Sequence, residues 1–157
     1  MVGLLTVGDK GNAIPVGAQI PIAGVGAYDP FGDGVEHDAA AINATDDDPS
    51  TYWSTETYSS GLDRVKKGVG MVLDAHAATE VSRITVVTDT PGFTAEIRAT
   101  NIQGTLGQLV SEKRVVARTT RFAIDESAPK RYYLIWVTKL APDGFAHVNE
   151  VRAFAKA

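Results

Sequence analysis

Residues 43–53 read NATDDDPSTYW, and the reading of this stretch decides the fold of the whole chain. Asp46, Asp47 and Asp48 set three like charges in succession, and Pro49 stops any helix that runs into them. A folded chain tolerates such a cluster in two ways. The carboxylates face water and cap backbone amides in an Asp-rich surface turn, or they surround a cation. Calcium takes about six to eight oxygen ligands from carboxylates and main-chain carbonyls, and a short Asp loop followed by a hydroxyl residue supplies most of them. The glycine and the distant bidentate glutamate of an EF-hand are absent. Spacing alone leaves the turn and the cation site both open.

Outward from this stretch the chain reads as short β-prone runs divided by turn signals. Upstream, residues 22–28 (IAGVGAY) form a small-residue strand after Pro21. Residues 29–38 (DPFGDGVEHD) form a loop whose Asp-Pro and Asp-Gly pairs bar regular structure, and residues 39–45 (AAAINAT) suit one or two helical turns. Downstream, residues 69–73, 81–88, 93–99, 113–117 and 121–124 are rich in β-branched or aromatic residues. Residues 132–137 (YYLIWV) are the most apolar run and predict a strand buried on both faces or inside a sandwich. Residues 146–154 (AHVNEVRAF) fit a closing strand, and Pro91-Gly92 and Pro142-Asp143-Gly144 mark turns. About eight strands with no long helix between them exclude βαβ crossovers and predict an all-β, antiparallel β-sandwich of jelly-roll type.

Composition bounds the rest. The 157 residues fit one domain, and 44% apolar with 22% charged residues is ordinary globular composition. A net charge of −4 argues against nucleic acid as a partner, because such domains present basic patches that displace counterions from phosphates. Arg64, Lys66 and Lys67 are the one tight basic cluster and suit a solvated loop. Cysteine is absent, which excludes disulfides and thiolate metal sites. No run approaches the ~18 apolar residues of a membrane span, so no membrane insertion by this segment is expected. Residues 1–19, with Gly3, Gly8, Gly11, Pro15 and Gly17, read as a linker or remnant ahead of a binding domain at 20–157.

Residues 44–53 (ATDDDPSTYW) also carry a resemblance. They look like the A-x-D-G-D/N-x-x-T-x-W signature of the discoidin family. These are the galactose-binding-like jelly rolls that include coagulation-factor C-type domains and many bacterial carbohydrate-binding modules. GVGMVLD at 68–74, VSRITVV at 81–87, Ile135-Trp136-Val137 and VNEV at 148–151 resemble the family's core strands, so the likeness covers roughly residues 20–154. The resemblance implies a structural calcium ion held by the loop and a Glu near the C-terminal end. By position, Asp46 offers its carboxylate, Asn43 and Asp48 carbonyl or side-chain oxygens, and Thr51 its hydroxyl or carbonyl. Glu150 closes the shell, with the Asn149 carbonyl assisting. Asp47 departs from the family's glycine; at positive φ it is held less easily than glycine but better than most residues.

A narrower resemblance joins YDPFGDGVEHD at 28–38, TYWSTETY at 51–58 and KKGVGMVLD at 66–74. These strings are similar to a discoidin-type domain at the C-terminal end of actinobacterial membrane proteins, including protein kinases and MviN-type lipid-flippase homologues. It implies an extracytoplasmic domain of a longer, membrane-anchored protein.

For function, loops on a β scaffold are the expected ligand-bearing parts. The loop aromatics are Phe31, Tyr52, Tyr58, Phe93 and Phe145, while Trp53 and Trp136 are expected in the core. Tyr58 is the favoured exposed aromatic, with Glu56, Arg64 and His37 as polar companions. No nucleophile elbow accompanies His37, His76 or His147, so no enzymatic activity is expected. Asp29, Asp33, Glu36 and Asp38 suit an ordered acidic loop, with a second metal site as the rival. The expected role is recognition of a glycan or cell-wall polysaccharide, by fold-level analogy. The alternative is a protein-interaction or structural domain without sugar affinity.

Overall fold

The computed structural model describes residues 17–125 and 128–157. Two antiparallel sheets enclose one core. The first holds β2 (Ala23–Tyr28), β4 (Val69–Thr79), β6 (Thr94–Thr100), β7 (Gln108–Leu109), β8 (Arg114–Val115) and β10 (Lys130–Lys139), in the order β2-β4-β10-β6-β7, with β8 also on β6. The second holds β1 (Gln19–Ile20), β5 (Arg83–Val87), β9 (Thr119–Ala123) and β12 (Glu150–Phe154), in the order β1-β12-β5-β9. A short ladder of β3 (Trp53–Ser54) and β11 (His147–Val148) closes one end. The long strands fall where β-branched and aromatic residues concentrate; the two-residue pieces β1, β3 and β7 are too short to show a pattern.

The sequence pattern explains which faces are covered. RITVV in β5 and TTRFA in β9 alternate buried and exposed residues, as half-solvated antiparallel strands do. β10 is buried on both faces from Tyr133 to Val137. Tyr133, Ile135 and Val137 meet Ile84, Val86, Phe122 and Val151 of the other sheet in the core. Trp136 points the other way. It is buried on the outer face of the first sheet, over Gly68 and Gly70 and beside Tyr28 and Phe31, rather than between the sheets. Trp53 is fully buried in the core, as expected.

The alanine-rich patch forms a 3-10 helix, Asp38–Thr45, between the two acidic loops. Ala41 and Ala44 bury it against β2, where a Cβ on Gly24 would collide with the Ala41 carbonyl. Val25 is the extra residue of a β-bulge at that contact, and the Gly24 amide donates to Thr45 Oγ1 (2.9 Å). Helix α1 (Leu62–Val65) is one turn in the long loop before β4. Of the stretch read as a linker, residues 1–16 lie outside the described residues. Gln19 already belongs to the fold, opposite Phe154 in β12.

Candidate functional site

The 3-10 helix delivers the chain to Asp46, and Asp47 then takes φ 60°, the left-handed turn for which the family uses glycine. The turn folds the loop back on itself. Asp46 Oδ1 accepts the Asp48 amide at 2.9 Å, and Asp46 Oδ2 accepts the Thr51 hydroxyl at 2.5 Å. The same hydroxyl oxygen lies 3.3 Å from the Asn43 carbonyl and 3.0 Å from the Asp48 carbonyl. One hydroxyl proton cannot serve three acceptors. Four oxygens, from Asn43, Asp46, Asp48 and Thr51, are thus crowded around a point that hydrogen bonding alone leaves under-supplied.

Glu150 joins the group from the far end of the chain. It opens β12, is 3% exposed, and its Oε1 is buried without a hydrogen-bond partner. Arg152 reaches Oε2 only at 3.9 Å. Burial raises the Glu150 carboxyl above the usual range, and the neighbouring Asp47 and Asp46 charges add to this against Arg152. Asp46 is held low by the Thr51 hydroxyl and the Asp48 amide. An orphaned buried carboxylate oxygen beside a cluster of hard oxygens is the donor chemistry calcium requires. Among the described residues no group of three or more His, Cys, Asp or Glu side chains assembles around a metal-sized point. The set here is two carboxylates, two carbonyls and a hydroxyl.

Three of the six expected ligands use their side chains to hold the loop. The Asn149 side chain accepts the Asp89 amide (3.0 Å) and donates to the Pro49 carbonyl (3.0 Å), which pins the Asp loop to the last strand. The Asp48 carboxylate turns away to the Ser50 amide and hydroxyl (2.9 and 2.6 Å), which leaves its carbonyl facing the Thr51 hydroxyl (3.0 Å). Asn43 likewise spends its side-chain amide on the Tyr52 carbonyl (3.2 Å).

The earlier acidic loop is arranged differently. Glu36 is fully buried, and its carboxylate accepts the Glu56 amide (2.7 Å) and the Tyr58 hydroxyl (2.9 Å to each oxygen). Lys66 Nζ bridges Tyr58 Oη (3.1 Å) and Asp29 Oδ1 (2.9 Å), with both charged side chains buried. Burial works against the Lys66 charge, but Asp29 and Tyr58 outweigh it and its pKa rises. Asp38 accepts the Ala27 and Glu36 amides, and Asp33 the Val35 amide. Asp29 and Glu36 are thus joined through Lys66 and Tyr58, Asp33 and Asp38 cap backbone amides, and among the described residues the four assemble no metal-sized cluster.

This network corrects the expected ligand site. Tyr58 is not an exposed platform: it is 9% exposed, and its hydroxyl is committed to Glu36 and Lys66. Glu56 is half-buried beside it, Arg64 is exposed on α1, and exposed His37 sits at φ 54° with Nδ1 on the Ser54 carbonyl (2.7 Å). These four residues make no common surface around an aromatic ring. Phe93 is also buried.

The aromatic cluster at this end is another set. Tyr52, 39% exposed, stacks on His147 with ring centroids 3.7 Å apart and planes 12° apart. Phe145 meets the same imidazole at 5.1 Å. His147 Nδ1 is 2.8 Å from Asp89 Oδ1, which fixes the ring. The neighbouring hydroxyls are occupied: Thr88 donates to the His147 carbonyl (2.7 Å), and Thr90 accepts the His147 amide (2.9 Å). A groove of about 560 Å³ is lined by Tyr58 with Ser59, Ser60, Gly92, Lys139 and Gly144, and neither Tyr52 nor His147 is among its lining residues. Tyr52 and Phe145 were visible in the sequence as loop aromatics, whereas their convergence on His147 arises from the β3–β11 ladder.

No family model matches the sequence. Solved structures match over most of the chain. The third family-32 carbohydrate-binding module of a family 31 glycoside hydrolase from Clostridium perfringens superposes with TM-score 0.60 at 13% identity, over 86% of this chain and 91% of that one. Chitosan-binding module 1 of a chitosanase/glucanase from Paenibacillus sp. IK-5 gives TM-score 0.61 at 12% identity, over 85% and 96%. A Ruminococcus gnavus family 29 fucosidase, in complex with fucose, gives TM-score 0.58 at 15% identity over 87% of this chain; the chain spans 24% of its length. The fold is an antiparallel β-sandwich jelly roll shared with these carbohydrate-binding modules.

Proposed function

We propose that this protein is a non-catalytic glycan-binding module, stabilised by one calcium ion and working outside the cytoplasm as part of a longer membrane-anchored protein. The observation that carries the reading is the Tyr52–His147–Phe145 stack, held rigid by Asp89 on a jelly roll shared with carbohydrate-binding modules. An exposed ring with a polar edge suits a sugar, whose apolar face stacks and whose hydroxyls need a few fixed partners. Calcium would be held by Asp46, Glu150, Thr51 and the Asn43 and Asp48 carbonyls. It would neutralise the buried Glu150 and clamp the Asp loop to β12.

Calorimetric titration with cell-wall fragments, galactose and chitosan oligomers is the test. One of them should saturate the protein, and Tyr52→Ala should weaken that binding at least tenfold while leaving the melting temperature near that of the parent. Flat titrations across the series would remove the glycan reading. They would favour a protein-interaction domain, for which the exposed apolar residues Leu109 and Val115 on the edge strands β7 and β8 are the supporting observation.

A further inference from the structure

The outer face of the second sheet carries a pair of arginines that nothing above uses. Alternation in β5 and β9 turns Arg83 and Arg121 away from the core. Register sets Arg121 opposite Thr85 and Arg83 opposite Ala123, so the two arginines are diagonal neighbours on adjacent strands. Side chains of this length reach one another across such a diagonal. The third strand adds Phe154, opposite Arg83, and the Arg83 guanidinium lies 4.7 Å from the centre of its ring.

Three features single out this pair, although Arg121 is exposed and Arg83 part-exposed. Both line a cleft of about 250 Å³ with Ser82, Phe154 and Ala155. Arg83 Nε is buried there and has no hydrogen-bond partner. Neither guanidinium has a carboxylate in ion-pair range among the described residues, although the chain carries 19 Asp and Glu. Burial and the Arg121 charge both work against the Arg83 cation. Two neighbouring like charges repel one another, and an anion between them would relieve the repulsion and supply an acceptor for the buried Arg83 Nε. The guanidinium fork matches carboxylate and phosphate oxygens in a bidentate fashion, and a ring beneath it fixes the fork in place. Arg83 begins β5, whereas Val87 at its other end faces Glu150, so this cleft lies at the opposite end of the strand from the Asp loop.

We propose that Arg83 and Arg121 form an oxyanion-binding site that takes the carboxylate or phosphate of an acidic polymer, at a position separate from the Tyr52 stack. The site stands whether or not the stack binds sugar.

Nuclear magnetic resonance of isotope-labelled protein tests it, following the Arg83 Nε–Hε signal at constant ionic strength. The probes are inorganic phosphate, galacturonic acid oligomers and neutral galactose oligomers. A saturable shift with phosphate, with uronate or with both, and none with the neutral sugar, supports the site; the pattern identifies which oxyanion it prefers. Arg121→Gln should weaken the response at least tenfold, and Arg121→Lys should keep most of it. No saturable shift with either anion, or unchanged affinity in Arg121→Gln with the rest of the spectrum intact, overturns the proposal. Tyr52→Ala should leave this titration unaltered, which separates its failure from failure of the glycan reading.

Discussion

Two acidic loops flank the 3-10 helix, and they balance their charge by different means. In the loop before it, Asp29 and Glu36 are buried around Lys66 and Tyr58, so the polypeptide brings its own cation. In the loop after it, Asp46 and the buried Glu150 face three further oxygens, and Arg152 stands off at 3.9 Å. The two stretches look alike in composition. What separates them is whether a lysine from another loop reaches the carboxylates, and that is decided by a contact 37 residues apart. The first cluster is complete with its internal ammonium; in the second only Glu150 is buried, and the proposed calcium ion would supply the positive charge that Arg152 does not bring close.

The largest test of that difference is Lys66→Met. Removing one partner of a buried pair costs about 3–5 kcal/mol, so urea unfolding should show a loss of that size which added calcium does not recover. Adding Asp29→Asn should restore part of it. Next in size is calcium itself. At a hundredfold excess over its dissociation constant it should stabilise the protein by about 2.7 kcal/mol, seen as a rise in melting temperature over the chelated sample. Glu150→Gln and Asp46→Ala should each reduce that rise; an undiminished rise in both would place the ion elsewhere.

A smaller effect concerns the turn. Asp47→Gly removes a side chain from φ 60° and gives up only an exposed 3.6 Å contact to Arg152, so it should stabilise by about 1 kcal/mol without loss of the calcium response. The smallest is a slope with pH. Burial raises the Glu36 carboxyl, so the native state keeps its proton to higher pH than the unfolded chain. Stability is therefore greatest on the acid side and declines as pH rises from about 4.5 through the raised native value. Glu36→Gln should flatten that part of the profile in chelator, where the midpoints of urea unfolding report it.

Local pattern made most of the sandwich legible. The alternation of RITVV and the unbroken YYLIWV run each fixed a strand's exposure without reference to anything distant. The Asp loop was legible for a related reason, since Asn43, Asp46, Asp48 and Thr51 lie within one short stretch. Tyr58 and Tyr52 both sit in polar loops and differ only in what the fold brings to them. Glu36 arrives 22 residues from Tyr58 and removes its hydroxyl from the surface, whereas His147 arrives from the far end of the chain and props Tyr52 outward. Trp136 was read as core from its apolar neighbours, but strand alternation sends it to the opposite face, where two glycines leave room for it. The Arg83–Arg121 pair was hidden in the same way, by a register that no single strand reveals.

The pairing of Gln19 with Phe154 has a mechanical consequence. A chain that enters at β1 and leaves at β12 does so from adjacent points on one rim, like the two legs of a hairpin. Tension drawn through those legs would peel a two-residue strand from its neighbour one bond at a time, instead of shearing many at once. The sandwich would begin to open there, while the Asn149–Pro49 tie at the far end of the last strand stays out of the line of force.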